Sequence, residues 1–255
     1  VNWGCQRGRI YSFVNSTARE AAAKSSAPVF QSNKQLIVKI MKNIWFIRHG
    51  QSEANAGLKT RHPASTQLTD SGALQAQHIA DYIQIKPDLI IHSPYLRALQ
   101  TAQPTMDKFP GVPVEQWPVQ EFTYLSPDKY CNTTRFDRQA FVAQYWQACQ
   151  ADLKDGENAE SYYDFFHRVK SCHQQLNGTR KNVLIFTHGH VMRLMIWMIL
   201  LGSRDQDDYT MEKYKSLRSA LRVANGAILK TRITDDNAVM SSLITQYLPD
   251  SLLTG

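Results

Sequence analysis

The sequence predicts an α/β fold: a three-layer α/β/α arrangement in which a mainly parallel central sheet carries helices on both faces. Short apolar runs of strand type alternate with segments whose apolar residues recur at spacings of three and four. The apolar runs are nearly continuous, as expected for parallel strands that are buried on both faces. Polar residues directly follow three of these runs, at the edge where such sheets bind ligands. We therefore expect a loop and helical cap over the carboxyl ends of the strands.

Five apolar runs are short enough, and rich enough in β-branched and aromatic residues, to be strands. In chain order they are Ile44–Ile47, Asp88–Ile91, Val112–Val114, Val183–Phe186 and Ala227–Ile233. The last of these is expected to close the sheet. Helical periodicity marks the segments that begin at Ala73, Leu96, Phe141, Tyr162 and Val191. Ser93 and Pro94 predict the start of the second helix, because serine caps helices and proline suits the first turn.

The composition is that of an ordinary globular protein. The 255 residues are 43% hydrophobic and 20% charged, which excludes disorder for most of the chain and suffices for one large domain. The longest apolar run, Leu194–Leu201, is far shorter than the roughly 20 residues of a membrane-spanning helix, so no membrane partner is expected. The four cysteines lack the spacing of a zinc site or a disulfide framework. This predicts a reducing, cytoplasmic location.

The net charge of +7 lies mostly in the N-terminal segment. Residues 1–40 hold six basic residues and one acidic residue, and they show no sustained periodicity. We predict that Met41 is the functional start and that residues 1–40 are a disordered extension or upstream read-through; an organellar transit peptide, which the Arg- and Ser-rich composition resembles, is the less favoured alternative. A single folded domain is predicted over residues 41–255. Because that domain is close to neutral, no nucleic-acid partner is expected.

Polar residues at three strand ends form the candidate site. Arg48 and His49 follow the first strand, Arg97 lies in the first turn of the helix after the second, and His188 follows the fourth. Parallel strands end at one edge, and helical side chains lean towards the helix N-terminus, so we expect all four side chains to converge. Taken alone, His188 would be interpreted as a buried structural histidine. Together the four residues offer a nucleophile and positive charge to a phosphate group.

The sequence around these positions resembles the histidine phosphatase superfamily, in its phosphoglycerate-mutase-like branch. The similarity extends in order over residues 41–233 and is carried by Arg48–Asn55 (RHGQSEAN), Leu68–Gly72 (LTDSG), Ser93–Ala102 (SPYLRALQTA) and Thr187–Gly189 (THG). The resemblance implies a histidine phosphatase domain with a phosphohistidine intermediate on His49. It also implies a phosphate pocket made by Arg48, Arg97 and His188, with Asn55 and Ser52 as further donors.

Phosphoryl chemistry suits these roles. It depends mainly on positioning and charge neutralisation, and guanidinium groups bind phosphate oxygens through two donors at once, which lysine cannot do. His49 must be unprotonated on its attacking nitrogen, which a backbone carbonyl bound to the other nitrogen would ensure. Gly50 and Gly189 would allow close approach of the backbone to the anion, and the helix after Gly189 would direct N–H groups at it. Gly189 is therefore a substrate-binding candidate. No cofactor is expected, and His190 lacks the further ligands that would make a metal site with His188.

A leaving alkoxide needs a proton, so a carboxylic acid should reach the pocket. Glu115, Glu121 and Asp128 follow the third strand and are the candidates. The resemblance favours Glu121, because relatives carry their acid in the corresponding stretch.

Two long basic insertions are expected at the mouth of the site. Arg61 in the first of them is included among the substrate-binding candidates. The insertions also contain His62, Lys129, Arg135 and Arg138. A solvated surface position is the ordinary interpretation for each of these five residues.

The sequence favours a phosphatase over a mutase. Mutases of this branch carry an aromatic-Gly-Trp stretch after the first motif and a Tyr-Gly run after the acid, whereas this chain has Gly57–Ala64 and Tyr124–Tyr130 there. We predict a metal-independent phosphomonoester hydrolase with His49 as nucleophile and Glu121 as proton donor. The alternatives are a cofactor-dependent phosphoglycerate-type mutase and a module that binds phosphoproteins or phosphometabolites with little activity. We expect a small phosphorylated substrate, or a phosphoprotein, and a monomer or homodimer.

Overall fold

Six strands form one sheet in a computed structural model that describes residues 41–201, 208–234 and 238–255. The strands are β1 (Lys42–Arg48), β2 (Leu89–His92), β3 (Val114–Gln116), β4 (Asn182–Thr187), β5 (Ile228–Ile233) and β6 (Ala238–Ile244). Their order across the sheet is β3-β2-β4-β1-β5-β6. The first four strands in that order run parallel, while β5 and β6 are antiparallel to their neighbours. The mainly parallel sheet is therefore confirmed.

The antiparallel end of the sheet differs from the prediction. The segment Ala227–Ile233 does not close the sheet, because β5 lies between β1 and β6 and pairs with both. None of the residues of β6 is fully buried. Without a continuous apolar run, this edge strand gave no signal in the sequence.

Helices cover both faces of the sheet. They are α1 (Asp70–Tyr82), α2 (Leu96–Lys108), α3 (Gln139–Ala148), α4 (Tyr162–Gln175), α5 (Gly189–Leu201) and α6 (Asp208–Ala220). The first five correspond to predicted helical segments. The sixth, α6, was not predicted, because its sequence is mostly polar, although it buries Met211 and Tyr214 in the core.

Neighbouring residues of β1 face two separate cores, as the alternation of side chains along a strand requires. Phe46 belongs to the larger core, to which α4, α5 and α6 contribute. Ile47 belongs to the smaller core, which contains residues of α1 and α2. The fold therefore has the three predicted layers.

The start of α2 corrects one prediction. Ser93 does not cap this helix, which begins at Leu96 after an N-cap residue, Tyr95, without a side-chain hydrogen bond. The Ser93 hydroxyl lies instead 2.7 Å from Nε2 of His188, and it accepts a hydrogen bond from the Tyr95 backbone N–H. Ser93 thus belongs to the site and not to the helix.

The prediction of a disordered extension concerns residues 1–40, which lie outside the described residues. Among the helices that the structure describes, none is sufficiently long and apolar to cross a lipid bilayer.

Candidate active site

His49 lies at the carboxyl end of β1 and is 2% exposed. Its Nδ1 is 2.6 Å from the Gly50 carbonyl oxygen, which can only accept, so Nδ1 carries the proton. Nε2 is 3.1 Å from Nε of Arg97, which can only donate, so Nε2 presents a lone pair. Burial, followed by the positive charges of Arg97 and Arg48, holds the pKa of His49 well below 6.5. The ring is therefore neutral near pH 7, with an unprotonated nitrogen facing a guanidinium group.

The two arginines of the predicted pocket are held by neutral groups. Arg97 donates from Nη1 to the Pro63 carbonyl oxygen at 2.6 Å, and Arg48 donates from Nη1 to the Val223 carbonyl oxygen. Nε of Arg48 is buried and has no hydrogen-bond partner among the described residues. Burial lowers the pKa of Arg48 to about 10, so its guanidinium remains charged at neutral pH. Because carbonyl oxygens hold both side chains in place, their positive charge stays available to an anion.

His188 lies beside His49, with 5.1 Å between the two ring centroids. Its Nε2 contacts the Ser93 hydroxyl, and its buried Nδ1 has no hydrogen-bond partner among the described residues. Burial, with a smaller contribution from Arg97, lowers the pKa of His188 well below 6.5. The structure thus brings Arg48, His49, Arg97 and His188 together, and it adds Ser93, which the sequence had suggested only as a helix cap.

A cavity of about 210 Å³ opens at this edge of the sheet. It is lined by residues from β1, α2 and the two insertions, namely Arg48, His49, Ser52, Ala54, Asn55, Pro63, Thr66, Tyr95, Arg97, Glu121, Phe122, Thr123, Tyr130, Arg135 and Arg138. Six of the predicted site residues are in this lining. His188 and Gly189 are buried and do not line the cavity, and Arg61 lies outside it.

Asn55 is oriented by its neighbours. Its Oδ1 accepts hydrogen bonds from the Ser52 hydroxyl at 3.0 Å and from Nδ2 of Asn225 at 3.0 Å. The Asn55 amide therefore presents its Nδ2 donor to the cavity. Asn225 also contacts the carbonyl oxygens of His49 and Gly50, both at 3.3 Å. Asn225 had no distinctive signal in the sequence, because an Asn-Gly pair before a strand is typical of an ordinary turn.

Glu121 is the acidic residue in the cavity lining. Its Oε1 accepts hydrogen bonds from the backbone N–H groups of His190 at 3.0 Å and Phe122 at 3.1 Å. Glu115 does not line the cavity, and its carboxylate accepts a hydrogen bond from the Trp117 indole at 2.8 Å. Asp128 is exposed and lies outside the lining. Of the three candidate acids, Glu121 alone is positioned to reach a ligand in this cavity.

Gly50 and Gly189 were expected to allow close approach of the backbone to the anion, and the structure shows different groups next to them. A Cβ atom at Gly50 would lie 2.4 Å from the Gly72 carbonyl oxygen, so Gly50 permits close packing against α1 and not against an anion. A Cβ atom at Gly189 would lie 3.0 Å from Nη1 of Arg193 and 3.6 Å from Nε of Arg48. In the N-terminal turn of α5, the carboxylate of Glu121 accepts the backbone N–H of His190. Gly189 does not line the cavity, and its assignment to substrate binding stays a prediction.

The insertions divide into residues that reach the cavity and residues that do not. Thr60 is buried and pairs with Thr133, whereas the next residue, Arg61, is exposed. Arg61 does not line this cavity but an adjoining one that shares Thr66 with it, so its role in substrate binding stays a prediction. Lys129 pairs with Asp155 at 2.6 Å. Arg135 and Arg138 do line the cavity, although a solvated position had been the ordinary interpretation.

An ion pair between Arg168 and Glu160 stabilises the segment that precedes Glu121. Nε and Nη2 of Arg168 donate to the two carboxylate oxygens of Glu160 at 2.6 and 2.8 Å. Nη1 of the same side chain donates to the Pro118 carbonyl oxygen at 2.7 Å. Ser161 caps α4 through a capping box with Asp164. Glu160 and Ser161 therefore have structural roles, one in the ion pair and the other at the start of α4.

His190 faces away from the phosphate pocket. Its Nδ1 is 2.9 Å from the Tyr214 hydroxyl, and its ring stacks on Trp146 with 5.9 Å between centroids. Within the described parts of the chain, no group of three or more histidine, cysteine or acidic side chains could hold a metal ion.

Two curated relatives are phosphatases. The adenosylcobalamin/alpha-ribazole phosphatase of Salmonella typhimurium is 29% identical over 163 residues, which cover 62% of this chain and 79% of that protein. The adenosylcobalamin/alpha-ribazole phosphatase of Escherichia coli is 27% identical over 162 residues, which cover 60% of this chain and 76% of that protein.

Solved structures show the same fold. The alpha-ribazole phosphatase of Shigella flexneri has a TM-score of 0.64 at 23% identity, and the match covers 81% of this chain and 98% of that chain. The phosphoserine phosphatase of Entamoeba histolytica, solved in complex with 3-phosphoglyceric acid, has a TM-score of 0.60 at 20% identity, with coverages of 82% and 100%. The sequence profile of the histidine phosphatase superfamily (branch 1) matches residues 44–235. The chain therefore belongs to the histidine phosphatase superfamily, branch 1.

Proposed function

We propose that this chain, a histidine-type phosphatase, hydrolyses small phosphate monoesters through a covalent phosphohistidine on His49. Its family and the phosphatase names of its relatives support the reaction class. The observation that carries the choice of nucleophile is the 3.1 Å hydrogen bond from Nε of Arg97 to Nε2 of His49. It directs the lone pair of a neutral imidazole at a group that binds phosphate oxygens.

In the first step, oxygens of the substrate phosphate replace His49 as acceptors of the Arg97 N–H groups. Arg48 and Nδ2 of Asn55 donate to the same phosphate. Nε2 of His49 then attacks phosphorus, so that an N–P bond forms while the P–O bond to the leaving group breaks. Glu121 gives its proton to the departing oxygen, which avoids release of an alkoxide.

In the second step, water attacks the phosphohistidine and gives a proton to Glu121. The N–P bond breaks, inorganic phosphate is released, and His49 returns to the tautomer with a proton on Nδ1. His188 does not line the cavity, but its ring lies 5.1 Å from that of His49, and we assign its buried Nδ1, which has no partner among the described residues, as a further donor to the group transferred to His49. The guanidinium groups supply the charge that metal ions supply in other phosphatases, so the reaction needs no metal. Cys131 and Cys172 are free thiols, which suits the proposed cytoplasmic location.

The test compares wild-type protein with His49→Ala in the hydrolysis of p-nitrophenyl phosphate, with EDTA present throughout. We expect kcat/KM to fall by at least about 1,000-fold, because the covalent route is lost. A brief incubation with radiolabelled substrate, followed by an alkaline quench, should label the wild type and not the variant, since phosphohistidine is stable to alkali.

The matched control is His78→Ala on α1, a partly exposed histidine outside the cavity lining. It should retain wild-type turnover and labelling. Equal turnover by wild type and His49→Ala would refute the assignment of the nucleophile.

A further inference from the structure

Arg138 is an unusual residue in the cavity wall, because it is a guanidinium group that is only 5% exposed. Its Nη1 donates to the Thr133 carbonyl oxygen at 2.9 Å and to the Thr133 hydroxyl at 2.7 Å. Its guanidinium carbon lies 4.2 Å from the centre of the Tyr130 ring. These contacts hold the side chain in one orientation without the help of a ligand.

Arg138 forms no ion pair with a described residue, and the exposed carboxylate of its sequence neighbour Asp137, which interacts with it electrostatically, is held by Thr134. The ion pairs among the described residues join Lys129, Lys154 and Arg168 to carboxylates, and Arg138 is in none of them. Its hydrogen bonds to described residues all come from Nη1, so Nε and Nη2 remain for a ligand in the cavity that Arg138 lines. A buried charge without a counterion is unfavourable, and a bound anion would relieve this cost.

Arg138 is also close to the phosphate pocket. Tyr130 lies in the cavity wall, and the positive charges of Arg138 and Arg97 both act to lower the pKa of its hydroxyl, against the larger effect of burial, which raises it. The Tyr130 ring contacts the Arg138 guanidinium, and Tyr130, Arg138 and Arg97 line the same cavity. The lining contains four arginines, including Arg135 at the exposed rim, and a single acidic residue, Glu121. Arg48 and Arg97 serve the phosphate in the proposed mechanism, which leaves two arginines unused.

We propose that Arg138, assisted by Arg135, binds a carboxylate on the organic part of the substrate, so that this enzyme prefers phosphate monoesters that carry a carboxylate group. The free edge of the Arg138 guanidinium presents the Nε and Nη2 donors side by side, which matches the two oxygens of a carboxylate. This inference rests on the proposed function, because it takes the phosphate of the same substrate to lie against Arg48, Arg97 and His49.

The test uses two substrates that differ at one group, 3-phosphoglycerate and glycerol 3-phosphate, in which a hydroxymethyl group replaces the carboxylate. We expect the wild type to show a kcat/KM that is about 10- to 100-fold higher for 3-phosphoglycerate, the range expected for hydrogen bonds to a charged group. Glycerol 1,3-bisphosphate is the third substrate. If it is preferred to 3-phosphoglycerate, the subsite binds phosphate and the assignment to carboxylate is wrong.

Arg138→Gln should reduce the ratio of the two kcat/KM values to near one. Because the ratio is measured within one variant, a general loss of folded protein does not change it. Arg138→Lys keeps the charge but loses the paired donors, so an intermediate ratio is expected. Arg135→Gln at the exposed rim should reduce the ratio less than Arg138→Gln does. The matched control, Arg180→Gln, removes an exposed arginine outside the cavity lining and should keep the wild-type ratio.

Failure of this inference can be separated from failure of the proposed function. If the wild type hydrolyses p-nitrophenyl phosphate but treats 3-phosphoglycerate and glycerol 3-phosphate alike, the carboxylate site is refuted and the phosphatase assignment stands. If the wild type hydrolyses neither 3-phosphoglycerate nor glycerol 3-phosphate, calorimetric titration with each compound measures its binding affinity instead. A protein that hydrolyses neither compound but binds 3-phosphoglycerate at least about tenfold more tightly keeps the subsite and refutes the proposed function.

Discussion

At the scale of single residues, the two carboxylate oxygens of Glu121 differ in their hydrogen bonds. Oε1 accepts two backbone N–H groups, from Phe122 and His190, and is thereby fixed. Oε2 makes no hydrogen bond to any residue that the structure describes, and Glu121 lines the cavity. One oxygen therefore orients the side chain while the other is available for proton transfer.

Glu121→Gln tests this division. The amide cannot give a proton to the leaving group, so we expect an alkyl phosphate such as glycerol 3-phosphate to react about 100- to 10,000-fold more slowly. An activated aryl ester leaves as a stable anion and needs less help, so the loss for p-nitrophenyl phosphate should be at least about tenfold smaller. The measurement is kcat for both esters in wild type and variant. Equal losses would place the proton donor elsewhere.

Some residues of the site could be predicted from the sequence, and others could not. His49 and Arg97 could be predicted because each lies in a short motif next to a strand, where the topology of a parallel sheet limits its position. Asn225 could not be predicted, because its role depends on a contact with Asn55, which is 170 positions earlier in the chain. Arg138 resembled a surface charge, since its burial depends on the path of the insertion that carries it.

At the scale of elements, the approach of α1 to the loop after β1 depends on two glycines that face each other. A Cβ atom at Gly72 would lie 2.1 Å from the Gln51 carbonyl oxygen, and one at Gly50 would lie 2.4 Å from the Gly72 carbonyl oxygen. The Gln51 carbonyl oxygen also accepts the backbone N–H of Thr69, the N-cap residue of α1. This contact fixes the loop that carries Ser52 and Asn55 into the cavity.

Gly72→Ala should therefore disturb both stability and activity. Alanine is favoured over glycine within a helix by about 1 kcal/mol, so a loss of stability would come from the clash alone. We expect the free energy of unfolding to fall by about 1–3 kcal/mol, as overpacking typically costs, and kcat/KM to fall because the loop moves. Urea unfolding and p-nitrophenyl phosphate hydrolysis measure the two effects.

Gly178→Ala is the control, because a Cβ atom there would meet nothing within 4 Å. It should change the free energy of unfolding by less than about 0.5 kcal/mol and leave hydrolysis unaffected. A Gly72→Ala protein with the stability and activity of this control would show that the two backbones can separate without cost.

Elements with a strong apolar pattern were predicted, and elements with a weak pattern were not. β1 and β4 are buried on both faces, and their apolar runs identify them directly. β6 is a partly exposed edge strand, and α6 is a mostly polar helix, so neither shows a clear hydrophobic periodicity in the sequence. The start of α2 was misplaced because Ser93 fits two roles in sequence, and only the position of His188 decides between them.

At the scale of the whole molecule, the site places polar and charged groups in the interior at the carboxyl edge of the sheet. His49 and His188 are buried and His190 is half-buried, and loss of solvent contact is the largest cause that lowers the pKa of each well below 6.5. Nearby arginines lower these pKa values further. The fold therefore favours three neutral imidazoles, which suits a nucleophile but makes stability depend on pH.

The sign of that dependence follows from proton binding. In the unfolded chain the three histidines bind protons below about pH 6.5, whereas in the folded protein they remain neutral to lower pH. The unfolded state then binds more protons, so acidification favours unfolding. We expect the free energy of unfolding to be constant with respect to these groups above about pH 7 and to fall below about pH 6.5. The slope is at most about 1.4 kcal/mol per pH unit for each histidine, because one pKa unit corresponds to that energy.

Urea unfolding between about pH 7.5 and pH 5.5 measures this pH dependence, and NMR of the ring protons should show three histidines that do not titrate over the same range. A flat stability profile across this range, with three titrating rings, would mean that the histidines are hydrated in the native protein and that His49 is not held neutral by burial.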